Sequence, residues 1–204
     1  MNSPFLFVDQ INTSGKRCLV RLDLNMPIAD GVVGDDTRIR RILPGLRALR
    51  ETGARLVILT HLGRPKGKVV PDMSVKPVAA ALSALLGCEV PVESDVTGPG
   101  GHAAVERLAD GDVLMMENLR FHPGEEANDP DFAAALAALG EVYVGDAFSC
   151  THRAHASVEA LPRLMEVATA GRSLGEELTE LHNALADPAR PVAAIVGGAK
   201  VSTK

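Results

Sequence analysis

What most constrains this chain is an alternation. The short apolar runs "CLVRL" from Cys18, "LVILT" from Leu56, "VLMM" from Val113 and "VYV" from Val142 are separated by longer segments whose apolar residues recur at helical spacing. Brief runs rich in aliphatic residues read as buried strands. In "TRIRRILPGLRALRETG", Ile39, Ile42, Leu43, Leu46 and Leu49 form one stripe, with Asp36 placed to cap the start and Gly53 the end. Pro44 lies inside that stripe and predicts a kink or a split. "SVKPVAAALSALLG", from Ser74 to Gly87, repeats the scheme. "NDPDFAAALAALG" does so again, with Pro130 in the first turn, Phe132, Leu136 and Leu139 on one face and Gly140 as the stop. Strands alternating with helices predict βαβ units: an α/β fold, a Rossmann-like three-layer sandwich about a parallel sheet.

The pattern changes after Pro162. "SLGEELTELHNALADP" sets Leu174, Leu178, Leu181 and Leu185 along one helix face, and "RPVAAIVGGAKVSTK" then opens a fresh strand, Val192 to Val196, with a glycine turn behind it. The expectation is a first domain over 1–170, a connecting helix over 171–188, and the opening of a truncated second α/β domain over 189–204. At 204 residues the chain is long enough for one good core, and with no Trp and one Tyr that core must be aliphatic.

Composition narrows function. A net charge of -5 argues against a general nucleic-acid binder. Cys18, Cys88 and Cys150 are odd in number and far apart, which favours a reducing compartment over a disulfide framework. "MNSPFLFVDQ" is not a secretory signal, and no run is apolar for long enough to span a bilayer. The expectation is a cytoplasmic enzyme or binding protein.

Polar residues gather behind the expected strands: Asp23 and Asn25 after the first, His61, Gly63 and Arg64 after the second, Glu117, Asn118 and Arg120 after the third, Asp146, His152, Arg153 and His155 after the fourth. That carboxyl edge is where open α/β sheets bind ligands. Arg38 joins from the following helix. Arginines held together at one edge repel unless an anion sits between them, and guanidinium forks match phosphate and carboxylate oxygens. Other readings are weaker. Cys150, His152 and His155 offer a metal three ligands in one loop with no second pair elsewhere, and Arg153 among them repels a cation. A Cys–His nucleophile has no evident orienting partner or oxyanion donor. Lys66 and Lys68 read as a basic turn marked by Pro65 and Gly67. "IVGGAKVSTK" lacks the phosphate-loop spacing, because Lys200 follows Ala199 and not Gly. It still offers a Gly197–Gly198 turn and two lysines, Lys200 and Lys204, which share a face if a helix starts there.

In this order "VRLDLNMP", "DDTRIR", "THLGRPKG", "ENLRF", "DAFSCTHRAHAS" and "GGAKVSTK" closely resemble the phosphoglycerate kinase family, over the whole chain. The resemblance implies reversible phosphoryl transfer between 1,3-bisphosphoglycerate and ADP, giving 3-phosphoglycerate and ATP, with Mg2+ bound alongside the nucleotide. It implies that Asp23, Asn25, Arg38, His61, Arg64, Arg120 and Arg153 bind the phosphoglycerate, with backbone from Leu24, Leu62 and Gly63. It further implies that Lys204 contacts nucleotide phosphates and that Arg38 and Lys200 stabilise the transferring group. A cytoplasmic monomer without nucleic-acid or membrane partners follows from it. Gly145, Ser149, Cys150 and Thr151 depart from the family's Asn-Asp-Ala-Phe-Gly-type segment, which predicts altered loop packing with retained binding. Most of the nucleotide domain, where the Mg2+ ligand is expected, is absent, so weak 3-phosphoglycerate binding and little turnover are expected of this chain alone. The alternative is a stand-alone, non-catalytic module for a phosphorylated sugar acid.

Overall fold

The computed structural model describes residues 5–186, 188, 190–193 and 195. In chain order the elements are β1 (Arg17–Leu22), β2 (Ile28–Ala29), β3 (Val32–Val33), α1 (Thr37–Glu51), β4 (Arg55–Leu59), α2 (Lys76–Leu86), β5 (Val92–Glu93) and α3 (Pro99–Glu106). There follow β6 (Val113–Met116), α4 (Pro123–Glu126), α5 (Pro130–Ala137), β7 (Val142–Asp146), α6 (Leu161–Leu164), β8 (Val167–Ala170) and α7 (Arg172–Leu185). A 6-stranded sheet runs β5-β6-β4-β1-β7-β8, and every pairing in it is parallel. β2 and β3 form a small antiparallel hairpin of their own.

Both faces of the sheet are covered, which is why its strands are apolar without alternation. The period of two sorts them. Cys18, Val20 and Leu22 of β1, with Leu56 and Ile58 of β4, pack under Ile39 and Leu46 of α1 and Val78 and Leu82 of α2. Leu19, Val57 and Leu59 point the other way, towards Val105 of α3, Leu136 of α5 and Tyr143. Arg21 shares the face of Leu19, so its place in β1 buries a guanidinium to 1% exposure.

Several expectations hold and others are corrected. The four strands expected before Pro162 and the connecting helix form. α1 runs through Pro44 as one element and does not split. Asp36 stands at its start without a side-chain capping bond, because both carboxylate oxygens take the Arg40 guanidinium at 2.7 Å. Gly87 ends α2 in the left-handed conformation that glycine tolerates best. β5 and β8 have weak signals in the sequence: the first is two residues long, and "VATA" is too short and small to stand out. The helix expected over 171–188 is observed over Arg172–Leu185, packed on β7 and α1. Val192, Ala193 and Ile195 lie in no strand, and the rest of the expected Val192–Val196 strand lies outside the described residues, as do Lys200 and Lys204. Among the described residues no helix is long and apolar enough to cross a membrane.

β1 has β4 on one side and β7 on the other, so the chain leaves β1 in one direction and returns on its opposite flank. Loops leaving the carboxyl ends of β1 and β7 therefore diverge, and the crevice between them is the expected ligand position of such a sheet.

Candidate anion-binding site

The loop after β1 carries Asp23. Its carboxylate accepts from Ser149, beyond β7, and from Arg38 of α1, while its other oxygen takes the Asn25 amide at 3.1 Å. One carboxylate thus ties together the two loops that flank the crevice and the start of α1. Burial pushes the Asp23 pKa up, but the hydrogen bonds from Ser149 and the Asn25 amide, with the charge of Arg38, outweigh it and hold the group below the usual carboxylate range. A cleft of about 240 Å³ opens beside these residues, lined by Asp23, Arg38, Arg41, Asp146 and Ser149.

The loop after β4 is fixed by its neighbours. Asn118 accepts from the Leu62 amide at 3.1 Å and donates to the Leu62 and Met73 carbonyls at 2.7 and 2.9 Å. The Gly63 amide donates to the Asn25 side chain at 2.9 Å, and the Gly63 carbonyl accepts from Arg120 at 2.7 Å. Gly63 has φ +61, the left-handed region that glycine tolerates best, and packs against the Met73 side chain. With the Leu24 amide donating to Thr60 at 3.2 Å, the N–H groups of Leu24, Leu62 and Gly63 are all committed within the protein. These positions shape the surface, and their amides are not free donors for a ligand.

His61 is buried, and Arg21 donates to its Nδ1 at 3.0 Å. Burial, then the charges of Arg21 and Arg120, push its pKa down to about 3. Arg120 is buried beside Glu126 at 3.3 Å and interacts electrostatically with Arg153. Arg64, next to Gly63, is exposed, and Arg153 is half-buried. Neither has a carboxylate partner among the described residues. Arg38, Arg120 and Arg153 are thus linked through Asp23, His61 and one another, and Arg64 leaves the loop whose carbonyl Arg120 holds.

Other polar residues behind the strands have structural partners. Glu117 accepts from Ser74, from the Val75 amide and from the Asn118 amide, which fixes the start of α2. Asp146 accepts from the Leu174 amide at 2.7 Å and anchors α7. The single group of potential metal ligands among the described residues is not Cys150, His152 and His155, the trio that the sequence supports only weakly, but Asp23, His61 and Cys150, within 4.8 Å of one another. Asp23 already spends its oxygens on three donors and His61 its Nδ1 on Arg21, so this group offers a cation little. A second cleft, about 560 Å³, lies over β7 and β8 and is mostly apolar, lined by Phe5, Leu6, Phe148, Leu174 and Leu178. It lacks the charge surplus an anion requires.

Arginines on the loops at the carboxyl edge of a parallel sheet can be set beside known proteins. The family model for phosphoglycerate kinase matches residues 8–204. The chain belongs to that family. It is 54% identical over 197 residues to a phosphoglycerate kinase of Ruegeria sp. (strain TM1040), covering 97% of this chain and 50% of the relative, and 53% identical over 200 residues to that of Caulobacter vibrioides. The solved phosphoglycerate kinase from Coxiella burnetii superposes with a TM-score of 0.88 at 38% identity, over 98% of this chain and 50% of that one. That from Pyrococcus horikoshii gives 0.82 at 29% identity, over 91% and 47%. The chain spans about half the length of the curated relatives it matches.

Sequence reasoning passed over three members of the site. Arg21 lies within an apolar strand run, Ser157 ends the "DAFSCTHRAHAS" motif without standing out in it, and Glu125 belongs to no motif, yet Glu125 and Ser157 are fully buried. An arginine inside an otherwise aliphatic strand was the one available signal.

Proposed function

We propose that this chain supplies the phosphoglycerate-binding part of a phosphoglycerate kinase, the whole protein transferring a phosphoryl group reversibly between 1,3-bisphosphoglycerate and ADP to give 3-phosphoglycerate and ATP. What carries the reading is the gathering of arginines on the loops of the carboxyl edge, where, among the described residues, Arg64 and Arg153 have no carboxylate partner and Arg38 and Arg120 pair with Asp23 and Glu126 alone. A doubly or triply charged sugar acid is the ligand that such a gathering fits.

The chemistry asks for little else. Phosphoryl transfer needs positioning and cations around dispersed negative charge, not a covalent nucleophile. An attacking carboxylate is already ionised, so no general base is required. In this reading Arg120 and Arg153 hold the acid, with Asp23, Asn25, His61 and Arg64 around it. Arg38, half exposed on the cleft, reaches the transferring group. Lys200 and Lys204 serve the nucleotide. Mg2+ wants oxygen ligands in a near-octahedral set, and the Asp23, His61 and Cys150 group, of mixed donors and largely committed, does not fit it. α7 becomes the connection about which substrate and nucleotide parts close, excluding water from the acyl phosphate. A monomeric, cytoplasmic enzyme goes with this reading.

Calorimetric titration with 3-phosphoglycerate is the test. The wild type is expected to bind, and Arg153→Ala to weaken binding by about tenfold or more, since a charge-assisted contact contributes about 1.5–3 kcal/mol. Equal affinity in both proteins removes Arg153 from the site. No binding by the wild type overturns the assignment of the concavity.

A further inference from the structure

We propose that Arg21 is a positioning residue: a buried chain of Glu125, Ser157 and Arg21 holds the His61 ring as the neutral tautomer protonated at Nε2. This goes beyond the phosphoglycerate-binding reading, on which it rests only for its purpose, because the state of the ring does not depend on a ligand.

The donor directions decide the tautomer. A guanidinium donates hydrogen bonds and accepts none. Arg21 Nη2 lies 3.0 Å from His61 Nδ1, so Nδ1 must present its lone pair. In a neutral imidazole the proton then sits on Nε2. Arg21 cannot drift from this position, since its Nη1 donates to the Leu22 carbonyl and its Nε to Ser157 Oγ at 2.8 Å. Having accepted from Arg21, the Ser157 hydroxyl passes its own hydrogen to Glu125 Oε1 at 2.6 Å, and the Ser157 amide donates to Oε2 at 2.9 Å. Tyr143 secures the same residue by donating to the Ser157 carbonyl at 3.0 Å. Glu125 is 0% exposed and Arg21 1%. Each buried charge has its opposite across one hydroxyl, as a buried ion requires.

The surroundings keep the ring neutral. Burial opposes the imidazolium, as do Arg21, Arg120 and His155, while Asp23 favours it. The Cys150 thiol lies nearby. His61 therefore offers a fixed donor at Nε2 whose charge does not change between pH 5 and 8, where an ordinary histidine loses its proton near 6.5. A ligand whose own phosphate titrates near pH 6 is met by a site that does not.

Long-range 1H–15N correlation spectra of the 15N-labelled protein without ligand, from pH 5 to 8, test this, with the His61 signals identified by their loss in His61→Gln. The expected result is an Nε2–H pattern that does not move across the range. The double variant Arg21→Met/Glu125→Gln removes both buried charges together, so neither is left uncompensated. In it the tautomer preference is expected to relax and a titration to appear between about pH 5 and 7. An Nδ1–H pattern in the wild type, a wild-type midpoint above about pH 5.5, or a double variant whose spectrum matches the wild type overturns the proposal. Should the double variant not fold, the wild-type series decides alone. The readings fail separately: lost 3-phosphoglycerate binding with an intact Nε2–H pattern sinks the site, and a mobile tautomer with intact binding sinks the relay.

Discussion

At the amino ends of the strands, Arg17 of β1 lies 3.8 Å from Glu141 and Arg55 of β4 lies 2.8 Å from Asp110, both pairs standing partly in solvent. At the carboxyl ends, Arg21 is sealed in the interior, Arg38 and Arg120 lean on single carboxylates, and Arg64 and Arg153 have none among the described residues. The same residue type thus serves opposite purposes at the two edges of one sheet. One edge cancels charge locally and is inert. The other holds charge in reserve, and an uncancelled cation cluster persists only where rigid neighbours oppose its repulsion. Those neighbours are the Asn118, Asn25 and Asp23 hydrogen bonds, which lock the loops before any ligand arrives.

The comparison can be broken most severely at Glu125. Glu125→Leu removes the counter-charge of buried Arg21 and is expected to cost about 3–5 kcal/mol in urea denaturation, the penalty for leaving a buried ion unpaired. A loss under about 1 kcal/mol would mean that the carboxyl-edge pair is no different from a surface one.

Asp146 sharpens the comparison through pH. Burial raises its pKa to about 6 despite the Leu174 and Ser173 amides. The folded state therefore holds this proton more tightly than the unfolded chain does. As pH rises from about 4 to 6 the unfolded carboxyl ionises first and stability falls; above 6 the penalty is complete, on the order of 2–3 kcal/mol. Asp146→Asn keeps a carbonyl for the Leu174 amide and removes the titration. The wild type is expected to gain stability relative to this variant as pH drops from 7 to 4.5, followed by thermal melts. A difference independent of pH would show that the group is solvated.

Added salt separates the edges more gently. Raising ionic strength from 0.05 to 0.5 M is expected to weaken 3-phosphoglycerate binding severalfold through screening of Arg64 and Arg153 at the open concavity. The smallest effect belongs to Arg55→Ala, expected to change stability by at most about 1 kcal/mol and affinity not at all. An affinity change there would spread the anion field over the whole sheet and dissolve the contrast.

Much of this fold was legible. β1, β4, β6 and β7 are continuous aliphatic runs because both faces of the sheet are covered, and α1, α2 and α5 carry single apolar stripes because each covers one; the stripe of α7 ends in the exposed Leu181 and Leu185. β8 was not, since "VATA" owes its strand state to pairing with β7 and not to its own propensity. Pro44 does not split α1, because packing of Ile39, Leu43 and Leu46 in the core outweighs one missing backbone bond.

For the site, the residue types and their positions behind strands determined the charge and the edge, because strand direction in a parallel sheet dictates where loops emerge. Only the tertiary structure decided which groups were spent. Asn118, Glu117 and Asp146 look functional in sequence and prove to be fasteners, while Arg21, Ser157 and Glu125, separated along the chain, become one buried relay. The reason is physical: a hydrogen-bonding group reveals its role through its partner, and partners brought together by β1 and β7 pairing are distant in sequence.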